Sequence, residues 1–138
     1  MNGTANGLYG GDLPNQINTP WIDFSEQSTI VGWSSFTVRR MLYKRIGDIV
    51  FFNISLEGTS NSTALTFTIP FVSRLGNIAP ASFTTDNGSA NMGGFFRIQT
   101  NNNTIDCWRP TSSSNAGLSS TWTASGQKSI SGNFFITL

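Results

Sequence analysis

Three residues close together in the chain, Asp106, Trp108 and Arg109, have the side chains that a saccharide site needs. An indole ring can pack on the apolar face of a pyranose, while carboxylate and guanidinium groups hydrogen-bond to its hydroxyls. Asn102 adds an amide nearby, and Trp122 offers a second indole among serines and threonines. The residue types therefore predict ligand contacts by Asn102, Asp106, Trp108 and Arg109 on one predicted hairpin, or by Trp122 in its loop. Core or interface packing is the alternative for each tryptophan.

Catalytic chemistry has few candidate groups in this chain. It contains no histidine, which removes Ser-His-Asp and Cys-His catalysis and most zinc sites. Its single cysteine, Cys107, has no histidine to activate it and is predicted to be a small buried strand residue. Seven carboxylates remain, and a glycosidase needs only two, at about 5 Å or about 6.5–9.5 Å. We predict a protein that is not an enzyme and has no cofactor, and we keep a depolymerase using Asp106 as a lesser alternative.

Half of the eight basic residues lie on one predicted strand: Arg39, Arg40, Lys44 and Arg45. Alternation places Arg39 and Arg45 on one face and Arg40 and Lys44 on the other, so they form no single basic stripe. We interpret them as protecting an edge strand or surrounding a subunit interface, with binding of an anionic receptor as the alternative. The net charge of +1 does not favour nucleic acid as a partner. No apolar run reaches the length of a membrane span, so membrane insertion is not expected.

Short strands with alternating side chains are predicted over most of the chain. Gly47-Asp48, between two apolar runs, predicts a two-residue hairpin turn of type II′. Along the next strand, every second residue from Val50 to Leu56 belongs to an apolar face that should lie in the core. Leu65 to Phe71 alternate in the same way, and Pro70 is predicted to end that strand. Gly32 is predicted to be a bulge within a strand over 29–36.

A second hairpin is predicted where Phe95–Thr100 and Thr104–Arg109 flank three asparagines, because asparagine tolerates positive φ at a tip. The chain closes on a strand in which Phe134, Ile136 and Leu138 share a face. In all we predict seven to nine strands and no helix. The predicted fold is all-β, an antiparallel β-sandwich, jelly-roll-like.

The first 20 residues differ in composition from the remainder. Glycine and asparagine fill four of their first seven positions, and no hydrophobic periodicity is present. Residues 1–20 are therefore predicted to be a linker or extended arm, and residues 21–138 the β-sandwich domain. The low charged fraction of 11%, with Asn, Ser and Thr supplying about a third of the chain, is typical of extracellular and virion proteins.

The block Met41–Phe71 combines an aromatic and basic strand, the turn and strand IGDIVFF, the tip GTSNST, and an alternating strand that reaches Pro-Phe. This pattern resembles a segment of the C-terminal receptor-binding domains of bacteriophage tail fibres and tail spikes. The closing stretch, Thr121 to Leu138, is similar to the end of such domains. Together the two stretches cover about a third of the chain.

The resemblance implies a β-sandwich knob that forms a homotrimer at the tip of a virion fibre and contacts the host surface, often through saccharide. It transfers no ligand residue to this sequence. Phe51, on the second face of its strand, is consistent with a face covered by a neighbouring subunit. The alternative is a structural module, either a trimerisation cap or a capsid decoration or head-fibre domain.

Overall fold

A computed structural model of the chain describes residues 17–111 and 117–138, and this part folds into twelve strands. They are β1 (Ile22–Asp23), β2 (Ile30–Val31), β3 (Trp33–Ile46), β4 (Ile49–Ser60), β5 (Thr66–Ser73), β6 (Asn77–Pro80), β7 (Phe83–Asp86), β8 (Ser89–Met92), β9 (Phe95–Ile98), β10 (Asn102–Pro110), β11 (Leu118–Ser119) and β12 (Gln127–Thr137). The count exceeds the predicted seven to nine, because three strands have only two residues and lack a sequence period of their own.

Two antiparallel sheets pack face to face, which confirms the predicted β-sandwich. The first sheet has the strand order β1-β3-β4-β12-β7-β8. The second has the order β2-β5-β10-β9-β6, with β11 paired to β10. The longest pairings join β4 to β3 and to β12, so these three strands form the centre of the first sheet.

The core lies between the two sheets and is rich in phenylalanine. Alternate residues of β4 from Val50 to Leu56 are buried, as their spacing predicts. Phe134 of β12 stacks on Phe52, with ring centroids 4.9 Å apart, and it also contacts Phe96 of the second sheet at 5.1 Å. Such aromatic contacts add to the hydrophobic stabilisation of the burial itself and join the two sheets.

The turn between β3 and β4 is the predicted two-residue hairpin. Ile46 pairs with Ile49, and the two residues between them are Gly47 and Asp48. Gly47 has φ of +59°, whereas Asp48 is not among the positive-φ residues. A positive φ at the first turn residue alone is the requirement of type II′, which glycine meets without steric strain.

Gly32 is not a bulge, and the prediction of one strand over 29–36 is wrong. β2 ends at Val31 in the second sheet, and β3 begins at Trp33 in the first. Gly32 therefore carries the chain from one sheet to the other, with φ of +128°. A Cβ there would lie 2.9 Å from the carbonyl oxygen of Ala64, so space as well as backbone conformation requires glycine.

Pro70 does not end its strand, since β5 continues to Ser73. The neighbouring β2 pairs only with Thr66 and Phe67, and this edge of β5 has no strand partner at Pro70 within the described chain. A proline that lacks an N–H donor is tolerated on such an edge. The prediction failed because the sequence does not show where the neighbouring strand stops.

Residues 17–20 run beside β3 rather than away from it. Asn18 forms a bridge with Ile46, and Thr19 N donates to Arg45 O at 2.9 Å. The remaining part of the predicted arm, residues 1–16, lies outside the described residues. The division into an arm and a domain at residue 20 stays a prediction.

Candidate functional site

The β9–β10 hairpin displays the best candidate site on the outer face of the second sheet. Its register pairs Asp106 with Arg97 and Trp108 with Phe95. Ile105 and Cys107, which alternate with the outer residues of β10, are buried in the core. The period of two therefore turns Asp106 and Trp108 outward together, two residues apart on one strand.

Arg97 connects these two residues. Its Nη2 donates to Asp106 Oδ2 at 2.7 Å and its Nε to the same oxygen at 3.3 Å. Its guanidinium carbon also lies 4.9 Å from the centroid of the Trp108 ring. The ion pair and the cation–π contact both hold the guanidinium plane in place. No described residue donates to the other carboxylate oxygen, Oδ1, so it remains an acceptor for a ligand hydroxyl.

A small pocket of about 130 Å³ lies beside this cluster. Its lining consists of Ile78, Phe95, Arg97, Trp108 and Leu118. Four of these side chains are apolar or aromatic, so the pocket suits an apolar group that enters next to the charged pair. The buried indole N–H of Trp108 has no hydrogen-bond acceptor among the described residues.

Asn102 lies away from this cluster. It begins β10, and its Oδ1 accepts a hydrogen bond from Thr104 N at 2.8 Å, which is a local turn contact. Asp106 lies four positions further along the strand, or about 13 Å away at the rise of an extended chain. Asn102 therefore stabilises the hairpin tip and does not converge with Trp108.

Arg109 faces the other way and is engaged by the protein itself. Its Nε lies 3.0 Å from Asp86 Oδ2 and also donates to Thr121 O at 3.0 Å. Asp86 is buried, and it accepts further hydrogen bonds from the backbone and hydroxyl of Thr123. Arg109 and Asp86 thus fasten the segment around residues 121–123 to β7 and β10.

Trp122 is a core residue, which corrects its assignment as a ligand contact. Its exposed fraction is 1%, and its Nε1 donates to Cys107 O at 2.9 Å. An indole that is enclosed on both faces offers no platform to a sugar. The alternative of core packing holds for this tryptophan, and the serines and threonines beside it do not indicate that it is buried.

The basic residues of β3 alternate between the two faces, as predicted. Arg39 lies two residues before the inward-facing Met41 and therefore on the same face of β3. Its Nη2 donates to Ser25 O at 2.6 Å. Its Nη1 also approaches Glu26 at 3.4 Å. Arg39 and Arg40 lie outside the short pairing of β3 with β1, along the side of β3 that faces away from β4. Their role in protecting an edge or an interface stays a prediction.

Arg97, Phe95, Ile78 and Leu118 were absent from the predicted site, and the structure adds them. The predicted hairpin requires a residue of the partner strand to lie opposite Asp106, but its three-asparagine tip selects Ile98, and only the observed register places Arg97 there. Ile78 and Leu118 come from β6 and β11, which pair with the hairpin on either side. No local signal in the sequence links those short strands to Trp108.

Comparison with known proteins does not assign the chain to a class. No protein-family model matches it, and no curated protein and no solved structure is significantly similar. Within residues 17–111 and 117–138, no group of three or more Cys, Asp or Glu side chains is placed to hold a metal ion. The same part of the chain contains no helix long and apolar enough to cross a membrane.

Proposed function

We propose that the chain is a non-enzymatic binding domain that recognises a saccharide on a cell surface. The observation that supports this most is the outward-facing cluster of Trp108, Arg97 and Asp106 on the second sheet. An aromatic ring, a held guanidinium and a carboxylate oxygen without a described donor supply the apolar and polar contacts of a pyranose. The adjacent pocket accepts an apolar substituent of the sugar.

The biological setting of the proposal is a bacteriophage virion. We propose that the domain is the receptor-binding end of a tail fibre, acts as a homotrimer, and attaches the particle to its host. This part is supported by the sequence pattern of Met41–Phe71 and by the β-sandwich fold, which is common to many unrelated functions. It predicts that the purified chain binds host cells and competes with the phage for adsorption.

A structural module is the second candidate function, as a trimerisation cap or a capsid decoration or head-fibre domain. The observation that favours it is a group of exposed apolar side chains on the outer face of the first sheet, including Trp21 and Phe135. Such a module would form an oligomer and show no saccharide binding on a glycan array. A depolymerase would instead degrade host polysaccharide and lose that activity in Asp106→Asn.

We expect Arg97→Ala to weaken saccharide binding by roughly 10- to 100-fold, the equivalent of losing one hydrogen bond to a charged group. The substitution removes the guanidinium that orients Asp106 and covers Trp108. A glycan array would first identify a binding saccharide, and calorimetry would then measure the dissociation constants.

Arg40→Ala is the matched control, because it removes the same charge from an exposed position on the other sheet. We expect it to bind like the wild-type chain. Thermal unfolding of both variants verifies that the fold is retained. Equal affinity of Arg97→Ala and the wild type for the bound saccharide would contradict the assigned site, and a chain that binds no glycan and no host cell would contradict the proposed function.

A further inference from the structure

Several exposed apolar side chains lie close together at one end of the outer face of the first sheet, near the β3–β4 hairpin. Five of them form what we call the hydrophobic patch: Trp21, Ile46, Ile49, Phe51 and Phe135. Trp21 is 51% exposed, Phe135 50% and Phe51 38%. Phe51 and Phe135 are directly paired across β4 and β12, and their ring centroids are 6.2 Å apart. A contiguous apolar group of this kind on a protein surface marks an interaction site.

The register of the strands explains why the patch is continuous. Lys44, Phe51 and Phe135 form one row across β3, β4 and β12, and Ile46 and Ile49 form part of the next row. Trp21 precedes β1 and lies beside Lys44, so it extends the first row. Trp21, Lys44, Phe51, Asn133 and Phe135 line a shallow groove of about 370 Å³.

We propose that copies of this chain associate with one another through the hydrophobic patch. The inference rests on the part of the proposed function in which the chain acts as a homotrimer, and it names the surface that the subunits share. Saccharide binding is assigned to the other sheet, so the two assignments can be tested separately.

The charges around the patch are suited to a second copy. Lys44 lies within it and has no ion-pair partner among the described residues. Asp23 and Asp48 lie at its rim, both exposed. A surface that carries one cation inside and carboxylates at its edge can be complementary to itself when two copies are offset.

The whole outer face, of which the hydrophobic patch occupies the end nearest the β3–β4 hairpin, is large enough for an interface between subunits. β4 and β12 pair over eleven residues, and with β3 they form three adjacent strands. At about 4.8 Å between strands and about 3.4 Å per residue, this gives a plan area of roughly 500 Å². The accessible area of a corrugated face exceeds its plan, so it approaches the roughly 800 Å² per subunit of a stable interface.

The chain's own N-terminal segment is a poorer occupant of the patch, although it joins the domain nearby. Ile17 O accepts a hydrogen bond from Gly47 N at 2.8 Å, which places residue 17 at the hairpin end of β3 and β4. The 16 residues before it contain few large apolar side chains: Met1, Leu8, Tyr9 and Leu13. Glycine, asparagine and other polar residues dominate that segment, whereas a second copy supplies five apolar side chains.

The test is the oligomeric state of the full chain, measured by sedimentation over a range of concentrations. We expect the wild-type chain to be an oligomer. The double variant Phe51→Thr/Phe135→Thr should raise its dissociation constant by at least about 100-fold, because central aromatic residues dominate interface energies. Threonine keeps the strand propensity of both positions.

Val31→Thr/Val72→Thr is the matched control, since both valines are exposed strand residues of the second sheet. It should leave the oligomer intact. Asn133→Arg, which adds a charge to an exposed position in the groove, is an independent second variant and should also dissociate the oligomer.

Three results would overturn parts of the proposal in different ways. A wild-type chain that stays monomeric at all concentrations would exclude both the homotrimer and the shared patch. An oligomer that resists Asn133→Arg and a correctly folded Phe51→Thr/Phe135→Thr would exclude the patch alone. The third result concerns the monomeric variants and their affinity for an immobilised saccharide, measured per binding site. A loss of this affinity would show that the two surfaces are not separate, and would contradict the assignment of binding to the second sheet alone.

Discussion

Gly58→Ala is expected to destabilise the domain by about 3 kcal/mol, at the upper end of the range for overpacking a buried site. Gly58 lies in β4 opposite Phe36 of β3. A Cβ at this position would overlap the carbonyl oxygen of Ser35 and lie 2.9 Å from the Cα of Phe36. Both atoms belong to the backbone, so no side chain can rotate to make room.

The backbone of β3 comes close to Gly58 because the pairing of β3 with β4 is irregular here. The register of β3 against β4 shifts between Trp33 and Ser35 and again between Phe36 and Val38. These irregularities bring the backbone of β3 over Gly58. Its φ is not in the left-handed region, so the need for glycine here is a matter of space and not of backbone conformation.

Chemical denaturation of Gly58→Ala and the wild-type chain would measure the loss of stability. Thr59→Ala is the control, because Thr59 is the next residue of β4 and is exposed. A surface change of that kind should alter the free energy of unfolding by no more than about 0.5 kcal/mol. A Gly58→Ala chain as stable as the control would show that β3 can move away from β4, and the inferred close contact would be wrong.

The parts of the fold that were predictable from the sequence depend on neighbours along the chain. The period of two from Val50 to Leu56 identifies the buried face, since each strand turns alternate side chains to opposite sides. Gly47-Asp48 identifies its own turn, because the requirement for positive φ is local. Neither conclusion needs knowledge of which strands lie together.

The predictions that were wrong concern positions whose environment depends on which strands pair with each other and in which register. With the three asparagines 101–103 as the hairpin tip, Asp106 would lie opposite Ile98, whereas the structure pairs it with Arg97, one residue away. That single shift decides whether the carboxylate faces an arginine. Trp122 is buried through a segment with almost no strand structure of its own, and Gly32 changes sheets, so neither position has a period from which its environment could be read.

Lys128 should give the domain an unusual dependence of stability on pH. Its side chain is fully buried, and its Nζ donates to Ser62 O at 2.7 Å and to Gly32 O at 3.2 Å. The ammonium also lies 5.8 Å from the ring of Trp33 and 5.7 Å from that of Trp122. It therefore holds the loop after β4 against the crossing between β2 and β3.

Burial lowers the pKa of Lys128 from 10.5 to about 8, and the nearby Asp86 carboxylate opposes part of that shift. Between these two pH values the unfolded chain binds more protons than the folded one, so the free energy of unfolding rises with pH. A shift of this size corresponds to about 3 kcal/mol over the whole window, of which about 1 kcal/mol should appear between pH 7 and pH 9.

The thiol of Cys107 acts in the opposite direction at higher pH. Burial raises its pKa well above 9.0, so the unfolded chain loses this proton first, and the contribution of Cys107 to the free energy of unfolding falls above pH 9, against the rise due to Lys128. Both Lys128→Met and the wild-type chain retain Cys107. The contribution of Cys107 therefore largely cancels when the stability of one chain is subtracted from that of the other. Methionine fills a similar volume without a charge.

We expect the stability of Lys128→Met to lack the rise between pH 7 and pH 9 that the wild type shows. The variant should still fold, at some loss of stability at every pH, because Gly32 O also accepts from Asn61 N, whereas Ser62 O loses its donor since the Ser60 hydroxyl donates to Thr123 O at 2.6 Å. Lys44, the only other lysine, is partly exposed, so Lys44→Met is the control. It should show the same rise in stability between pH 7 and pH 9 as the wild type. Parallel profiles for Lys128→Met and the wild type in urea unfolding at each pH would show that the ammonium is not desolvated in the folded state.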